Sequence, residues 1–419
     1  MVERNWAGNI AFAGRTVAPR GTDEVRALVR TAPPGSLRPL GTRHSFSPIA
    51  DAPGTLISSR GLADPSRVVV AGDRTSVRVP AGIRYGELAR MLQAQGLALA
   101  NLASLPHISV AGAVATGTHG SGVRNGSLAT AVRAIELVDG TGELRALRRG
   151  DAVFDGAVVA LGALGVVMSL ELDVEPTFDV AQTVYRDLPL EALLEALDDA
   201  TTLGYSVSIF TTWADPDVVD QLWLKRRVDR DPDAPANVVG ASPSSIAMHP
   251  IAGVDPRSAT PQLGVAGPWL ERLPHFRLEF TPSAGDELQS EYLVPRARAV
   301  EAIRAVRGLA LEIRPLLQVT EIRAIAADEL WLSGAFGADA VGLHFTWVAD
   351  PPAVEALLPR LEERLLPLGA RPHWGKVFRA DADALAALYP RLDDFRTLAR
   401  EHDPRGVFVN DFLRAKLAL

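Results

Sequence analysis

The chain has no cysteine in 419 residues and only 6% aromatic residues. Without thiols there is no disulfide framework, no thiolate metal ligand and no cysteine nucleophile. No run of 18 apolar residues occurs, and the opening MVERNWAGNIAFAG has neither a basic leader nor a long apolar core. A spanning helix and a secretory leader are therefore not expected, and the reading is a cytoplasmic protein. Excess positive charge is missing as well: the formal net charge is −7, which leaves no whole-chain footprint for nucleic acid. H-E-x-x-H, G-x-S-x-G and GK[ST] are absent and the eight histidines are scattered. Zinc protease, serine hydrolase and P-loop chemistry lose their support, and no metal centre is expected.

What is present is a globular composition, 47% apolar and 22% charged, long enough for roughly two domains. Apolar residues at helical spacing mark 23–32 and 85–96 in the first half and 189–200, 295–313, 353–367 and 383–400 in the second. Strand patterns lie at 75–82, in a hairpin over 131–151 turning at Asp139–Gly142, and at 166–176, where a proline marks a boundary. Further strands are expected near 205–213, 221–228, 275–281, 318–325, 341–348 and 373–379. Residues 229–270 lack periodicity and read as a long surface excursion.

Alternate side chains of a strand point to opposite sheet faces. In LQVTEIRAI (317–325) Glu321 and Arg323 share a face. In VGLHFTW (341–347) His344 and Thr346 lie opposite an apolar row. HFRLEF (275–280) and HWGKVF (373–378), taken as strands, add His275, Arg277 and Glu279, and Lys376 between Trp374 and Phe378. A solvent-facing sheet is the plain alternative. This mixture of charge and aromatics suits a partly enclosed pocket for a small hydroxyl-rich ligand.

The stretch NLASLPHISVAGAVATGTHGSGVRNGSLAT (101–130) packs small residues with Arg124 as its one charge. Glycines allow close backbone approach, and successive N–H groups form nests for phosphate oxygens, so a phosphorylated cofactor is indicated. Gly117, Gly120 and Gly122 give G-x-x-G-x-G, not the dinucleotide fingerprint.

GTRHSFSPIAD (41–51) and the glycine-rich run resemble the vanillyl-alcohol-oxidase type of FAD-linked oxidase. NWAGN (5–9), RYGELA (84–89), WLKRR (223–227), ERLPHFRLEFTPS (271–283), ELQSEYL (287–293), EIR (321–323), HFTW (344–347) and RPHWGK (371–376) resemble its bacterial alditol (xylitol) oxidase branch. The resemblance implies an α+β fold of two domains. An FAD-binding domain of two subdomains spans 1–176, a substrate cap with a large antiparallel sheet flanked by helices spans 177–400, and a segment at 401–419 returns to the first. It implies FAD joined covalently to His44. Gly41, Thr42, Arg43, Ser45, Ser104, Ser109, Gly112, Thr116, Gly117, Thr118, His119, Val166 and Val167 complete the cofactor set.

The substrate set carried over is Ser104, Glu321, Arg323, His344, Thr346 and Lys376, with Glu321, Arg323 and Lys376 catalytic. The implied reaction turns a terminal polyol hydroxyl into an aldose and dioxygen into hydrogen peroxide. Whether Lys376, Glu321 or a shared network takes the proton stays open at this point. Arg43 stands where many relatives have a small residue, and its cation is expected to favour a neutral His44 ring. A monomer binding polyol and dioxygen, with no membrane or nucleic-acid partner, completes the expectation. The alternatives are a sugar-1,4-lactone oxidase or dehydrogenase on the same fold, and a non-redox sugar-binding protein.

Overall fold

The structure, a computed structural model, describes residues 2–280 and 287–419. In the first half a five-stranded antiparallel sheet holds Val69–Val70, Ser76–Pro80, Gly165–Asp173, Val132–Asp139 and Leu144–Arg148, in that spatial order. A parallel three-stranded sheet of Arg15–Val17, Thr55–Ser58 and Leu37–Leu40 lies alongside. Helix Tyr85–Gln93 buries Tyr85, Leu88, Ala89 and Leu92, the face anticipated from its spacing.

The second half is dominated by one eight-stranded sheet, whose middle runs Asp179–Pro189, Val218–Arg227, Ser206–Thr211, Leu317–Ile325, Ala340–Val348 and Glu287–Pro295. Its apolar parity, including Ile209, Leu222, Ile322, Leu343, Phe345 and Trp347, packs with helices Leu190–Glu195, Ala299–Arg307 and Pro351–Leu365 in one core. The opposite parity of strands Glu287–Pro295, Leu317–Ile325 and Ala340–Val348 faces the cleft described below. The α+β class and the large antiparallel sheet are thus as expected.

Two expected strands are not formed. Residues 275–280 are bends and turns apart from an isolated bridge of Phe276 with Ala259, with residue 281 outside the described set, and 373–379 follows a two-residue strand, Arg371–Pro372, as a turn. In the first, the N–H groups of His275 and Phe276 both donate to the Ser104 carbonyl, which leaves no regular ladder. In the second, Lys376 N–H closes a turn on the His373 carbonyl, and Gly375 N–H donates to His373 Nδ1. Alternation alone cannot separate such segments from strands.

Several helices are also shorter than their periodicity. The 295–313 pattern ends at Arg307 and resumes over Ala310–Ile313, with Gly308 between. The 383–400 pattern splits at Tyr389-Pro390 into Ala382–Leu388 and Leu392–His402, as expected of a residue preceding proline. The 189–200 pattern splits at Ala196. Trp374, Phe378, Leu385, Phe395 and Leu413 belong to the same core as Val77, Leu88 and Leu170. That core also takes in Val180, Tyr205, Trp269 and Leu332, so both halves of the chain contribute to it.

Candidate active site

A cleft runs between the two bodies. Its lining takes in Gly41–Phe46, Ser104, Gly112, Thr116, Thr118, His119, Val166 and Val167 from the first, and Glu321, Arg323, His344, Thr346 and Lys376 from the second. Of the residues singled out in the sequence, Ser109 and Gly117 stand behind this lining. Ser109 N–H donates to Thr42 Oγ1 at 3.2 Å, and its own hydroxyl is buried without a partner.

On the first wall the backbone supplies the chemistry. Among the described residues, no group accepts from the N–H groups of Thr42, Arg43, His44 and Ser45. Arg43 adopts φ 66°, a left-handed conformation that non-glycine residues seldom take outside turns and functional sites. A run of free N–H groups turning through such a residue is a concavity for anionic oxygens. A Cβ on either Gly41 or Gly112 would stand 2.8 Å from Ser109 Oγ, so loop 41–45 and helix Val110–Ala115 approach closely where both carry glycine.

His44 Nδ1 lies 3.0 Å from Thr42 Oγ1, and its ring stacks on Trp6 with centroids 5.5 Å apart. Burial, with His107 and Lys376 nearby, pulls its pKa down to about 4 despite the Thr42 contact, so the ring is neutral. Arg43 is not the cause, contrary to the expectation from sequence. Its guanidinium is turned away and paired with Glu3.

On the second wall side-chain parity supplies the chemistry. Glu321 pairs across the sheet with His344, and His344 with Glu291 on strand Glu287–Pro295. Arg323 donates from Nη2 to Glu291 Oε1 at 2.6 Å, lies 3.6 Å through Nε from Glu321 Oε1, and reaches Ser104 Oγ through Nη1 at 3.4 Å. Gly342 lies opposite Arg323, and a Cβ there would stand 3.2 Å from Glu291 Oε1. His119 Nε2 at 3.1 Å and His344 Nδ1 at 3.4 Å also approach Glu291, close in distance but without hydrogen-bond alignment. Lys376 donates to Gln289 and lies 5.0 Å over the Phe46 ring.

Burial works against every one of these charges, and the pairing decides which survive. Burial opposes the Glu321 carboxylate, but Arg323 and His275 hold it far below the ordinary range. Glu291 is likewise held low against burial by Arg323, with His119 and His344 adding. Burial also opposes the Arg323 charge, and the two carboxylates more than offset it. Lys376 is pulled down to about 8 by burial, against the upward pull of Glu291.

Two participants, Glu291 and Gln289, are not singled out in the sequence, and a third, His275, is expected there on a strand face but not in the substrate set. Glu291 and Gln289 sit on a strand whose alternation, Glu287, Gln289, Glu291 against Leu288, Ser290, Tyr292, carries the same signal that marks Glu321 and Arg323. His275, expected on a strand, instead meets Glu321 Oε1 through Nε2 at 2.7 Å from a loop. Among the described residues no cluster of histidine and carboxylate could hold a metal ion, and no helix is long and apolar enough to cross a membrane.

Comparison with known proteins agrees with this geometry. An FAD binding domain family matches residues 13–148, and a D-arabinono-1,4-lactone oxidase family matches residues 286–416. The chain is 50% identical over 412 residues to an alditol oxidase of Streptomyces sp., covering 98% of this chain and 97% of the other. It is 28% identical to an L-gulono-1,4-lactone dehydrogenase of Mycobacterium tuberculosis over 99% of this chain and 98% of the other. A cholesterol oxidase structure from B. sterolicum superposes with a TM-score of 0.78 at 17% identity, covering 98% of this chain and 96% of that one, a likeness of fold.

Proposed function

Because the chain belongs to the vanillyl-alcohol-oxidase type of FAD-linked oxidases, on the alditol oxidase branch, we propose that it oxidises a terminal hydroxyl of a polyol such as xylitol or sorbitol to the aldose. Dioxygen is the acceptor and hydrogen peroxide the second product. The observation that carries this is the meeting of the two walls. The glycine-tight, N–H-rich loops run directly into a buried polar face, and Ser104 Oγ and Arg323 Nη1 touch across the join.

The first wall fits FAD. The free N–H groups of residues 42–45 suit its phosphate oxygens, the Gly41 and Gly112 approach leaves the backbone exposed to the cleft, and Thr116 and Thr118 add hydroxyls. His44, neutral and half-buried against Trp6, is the covalent anchor in this reading, since an unprotonated ring nitrogen is a nucleophile. When bound, the flavin supplies the two-electron oxidation and passes the electrons to dioxygen.

The protein's own work is binding, orientation and the proton. Ser104, His344 and Thr346 hydrogen-bond hydroxyls along the polyol, and a site built to pair several hydroxyls rejects simple alcohols because its own polar groups are then left unpaired. Arg323 stays charged and stabilises negative charge developing on the reacting oxygen. Glu321 is held ionised too firmly to be an effective base. Lys376, whose ammonium burial pulls down to about 8, is the group we assign to take the hydroxyl proton at Nζ once it has lost its own. We read the protein as a monomer of the cytoplasm, with the division into FAD domain, cap and returning C-terminal segment as drawn from the sequence.

The lactone reading rests on the D-arabinono-1,4-lactone oxidase family match over residues 286–416. Aerobic turnover of xylitol, sorbitol and an aldono-1,4-lactone, with peroxide and aldose measured, tests both. Polyol turnover is expected; lactone turnover without polyol turnover overturns the assignment, and a colourless protein that only binds sugars overturns both. For the anchor, acid-denatured protein should keep its yellow colour on a peptide within residues 38–60 and lose it in His44→Ala. Flavin that washes out of the denatured wild type removes His44 from that role.

A further inference from the structure

Behind Glu321 a buried chain of hydrogen bonds crosses the eight-stranded sheet. Lys225 lies on strand Val218–Arg227, next but one to the strand of Glu321, and is 1% exposed. Its ammonium is saturated. Nζ donates to the Leu273 carbonyl at 2.6 Å, to the Pro274 carbonyl at 3.2 Å and to His275 Nδ1 at 3.0 Å. His275 Nε2 in turn lies 2.7 Å from Glu321 Oε1, with Ser208 Oγ at 3.3 Å on the intervening strand. The imidazole is held edge-on between Phe210 and Trp223, with centroids 5.5 and 5.4 Å away.

His275 and Glu321 line the cleft; Lys225 does not. A lysine buried there without contact to the cleft serves neither solvent nor ligand directly. An ammonium has three donors and no lone pair, so His275 Nδ1 has to accept. The neutral ring then carries its one proton on Nε2, pointed at Glu321 Oε1. Among the described residues no group donates to Glu321 Oε2. One carboxylate oxygen is thereby tied down and the other left for a ligand.

We propose that Lys225 is a positioning residue. By fixing the His275 tautomer, its ammonium makes Nε2 the donor to Glu321, which orients that carboxylate to accept from a hydroxyl of the bound polyol. The role rests on the polyol reading of the site and extends it to residues outside the cleft. It follows the logic by which a buried charged group selects the tautomer of a working histidine.

The test begins with the tautomer and does not need turnover. In the flavin-loaded protein with 15N-labelled histidine at pH 6, where the Lys225 ammonium, drawn by burial toward about 7, still keeps its proton, the His275 signal is assigned by its loss in His275→Gln. A bare Nδ1 and a protonated Nε2 are expected. In Lys225→Met the pattern should mix or invert, with an unchanged circular dichroism spectrum and flavin content. A proton on Nδ1 in the wild type, or an unchanged tautomer in Lys225→Met, overturns the proposal.

The second arm uses rescue. His275→Gln keeps an acceptor for Lys225 and an N–H for Glu321, whereas His275→Leu fills the space and keeps neither. For xylitol, kcat/KM and the calorimetric affinity should fall about 10–100-fold in His275→Leu and Lys225→Met, the scale of one charge-assisted hydrogen bond, and stay within about threefold of wild type in His275→Gln. Equal losses in His275→Gln and His275→Leu would show a packing role and overturn it. If the wild type neither binds nor oxidises xylitol, the polyol reading fails, and the tautomer comparison still decides whether Lys225 sets the state of His275.

Discussion

The loops at 41–45 and 104–119 meet the cleft with backbone N–H groups, hydroxyls and glycine, and the one cation among them, Arg43, is paired elsewhere with Glu3. Across from them, strands Glu287–Pro295, Leu317–Ile325 and Ala340–Val348 present ionisable side chains joined to one another within hydrogen-bond reach. The first wall is shaped by what the chain leaves out, so that main-chain atoms can approach a ligand. The second is shaped by pleat parity, which collects charge on one face while the other face packs on helices. Added volume should therefore damage the first wall and lost charge the second.

The largest effect is expected from Arg323→Ala. Two buried carboxylates, Glu291 and Glu321, then share a site without their common cation. Removal of one partner of a buried ion pair costs about 3–5 kcal/mol of stability, and loss of a preorganised charge at the reacting centre costs about 10²–10³ in rate. Thermal melts and peroxide release with xylitol measure both. The exposed Arg148 is the control, with Arg148→Ala within about 0.5 kcal/mol of wild type. Equal damage from the two changes would dissolve the contrast between cleft and surface charge.

Gly41→Ala probes the first wall by volume. Its Cβ would meet Ser109 Oγ at 2.8 Å, and overpacking of this kind costs about 1–3 kcal/mol. Flavin content per mole of protein should drop while the charged strand face keeps its pairing. Because the Ser109 hydroxyl has no hydrogen-bond partner, Ser109→Ala added to Gly41→Ala should restore most of the flavin, a non-additivity expected of touching groups. Full flavin occupancy in Gly41→Ala would show that the close approach is not what the cofactor needs.

The two walls also differ in how legible they are in the amino-acid sequence. Glu321, Arg323, His344 and Thr346 stand out by parity within single strands, and the small-residue run at 101–130 by composition. Glu291 carries a comparable parity signal in ELQSEYL, blurred because the opposite face there holds Ser290 and Tyr292 in place of an unbroken apolar row. The Lys225–His275 contact has no sequence signal at all. It joins positions 50 residues apart through a loop whose alternation imitates a strand, with the His275 and Phe276 N–H groups both turned onto the Ser104 carbonyl. Ser109 and Gly117 belong to the correct loop, but only the three-dimensional path of the chain shows which of its residues face the cleft.

The smallest effect separates the walls by pH. On the charged wall, burial lowers His275 to about 4 and His373 to about 3, while an unfolded chain protonates both near the ordinary value of 6.5. Between those values the unfolded state binds more protons, so stability falls as pH drops from about 6.5 toward 4. Glu291 and Glu321, held ionised below their ordinary value of 4.5, lose their contribution further down in the same direction. Lys376, lowered from 10.5 to about 8, works on the alkaline side with the same sign, since the unfolded chain again holds the extra proton and stability rises with pH through that window. The first wall contributes only His44, lowered by burial to about 4. His275→Gln should therefore flatten the acid limb of the melting curve by about 2 °C between pH 6.5 and 4, with the alkaline limb unmoved. An acid limb of unchanged slope in that variant would mean that the His275 imidazole does not titrate between the folded and unfolded states, and that the charged wall draws its acid sensitivity from His373 and its carboxylates.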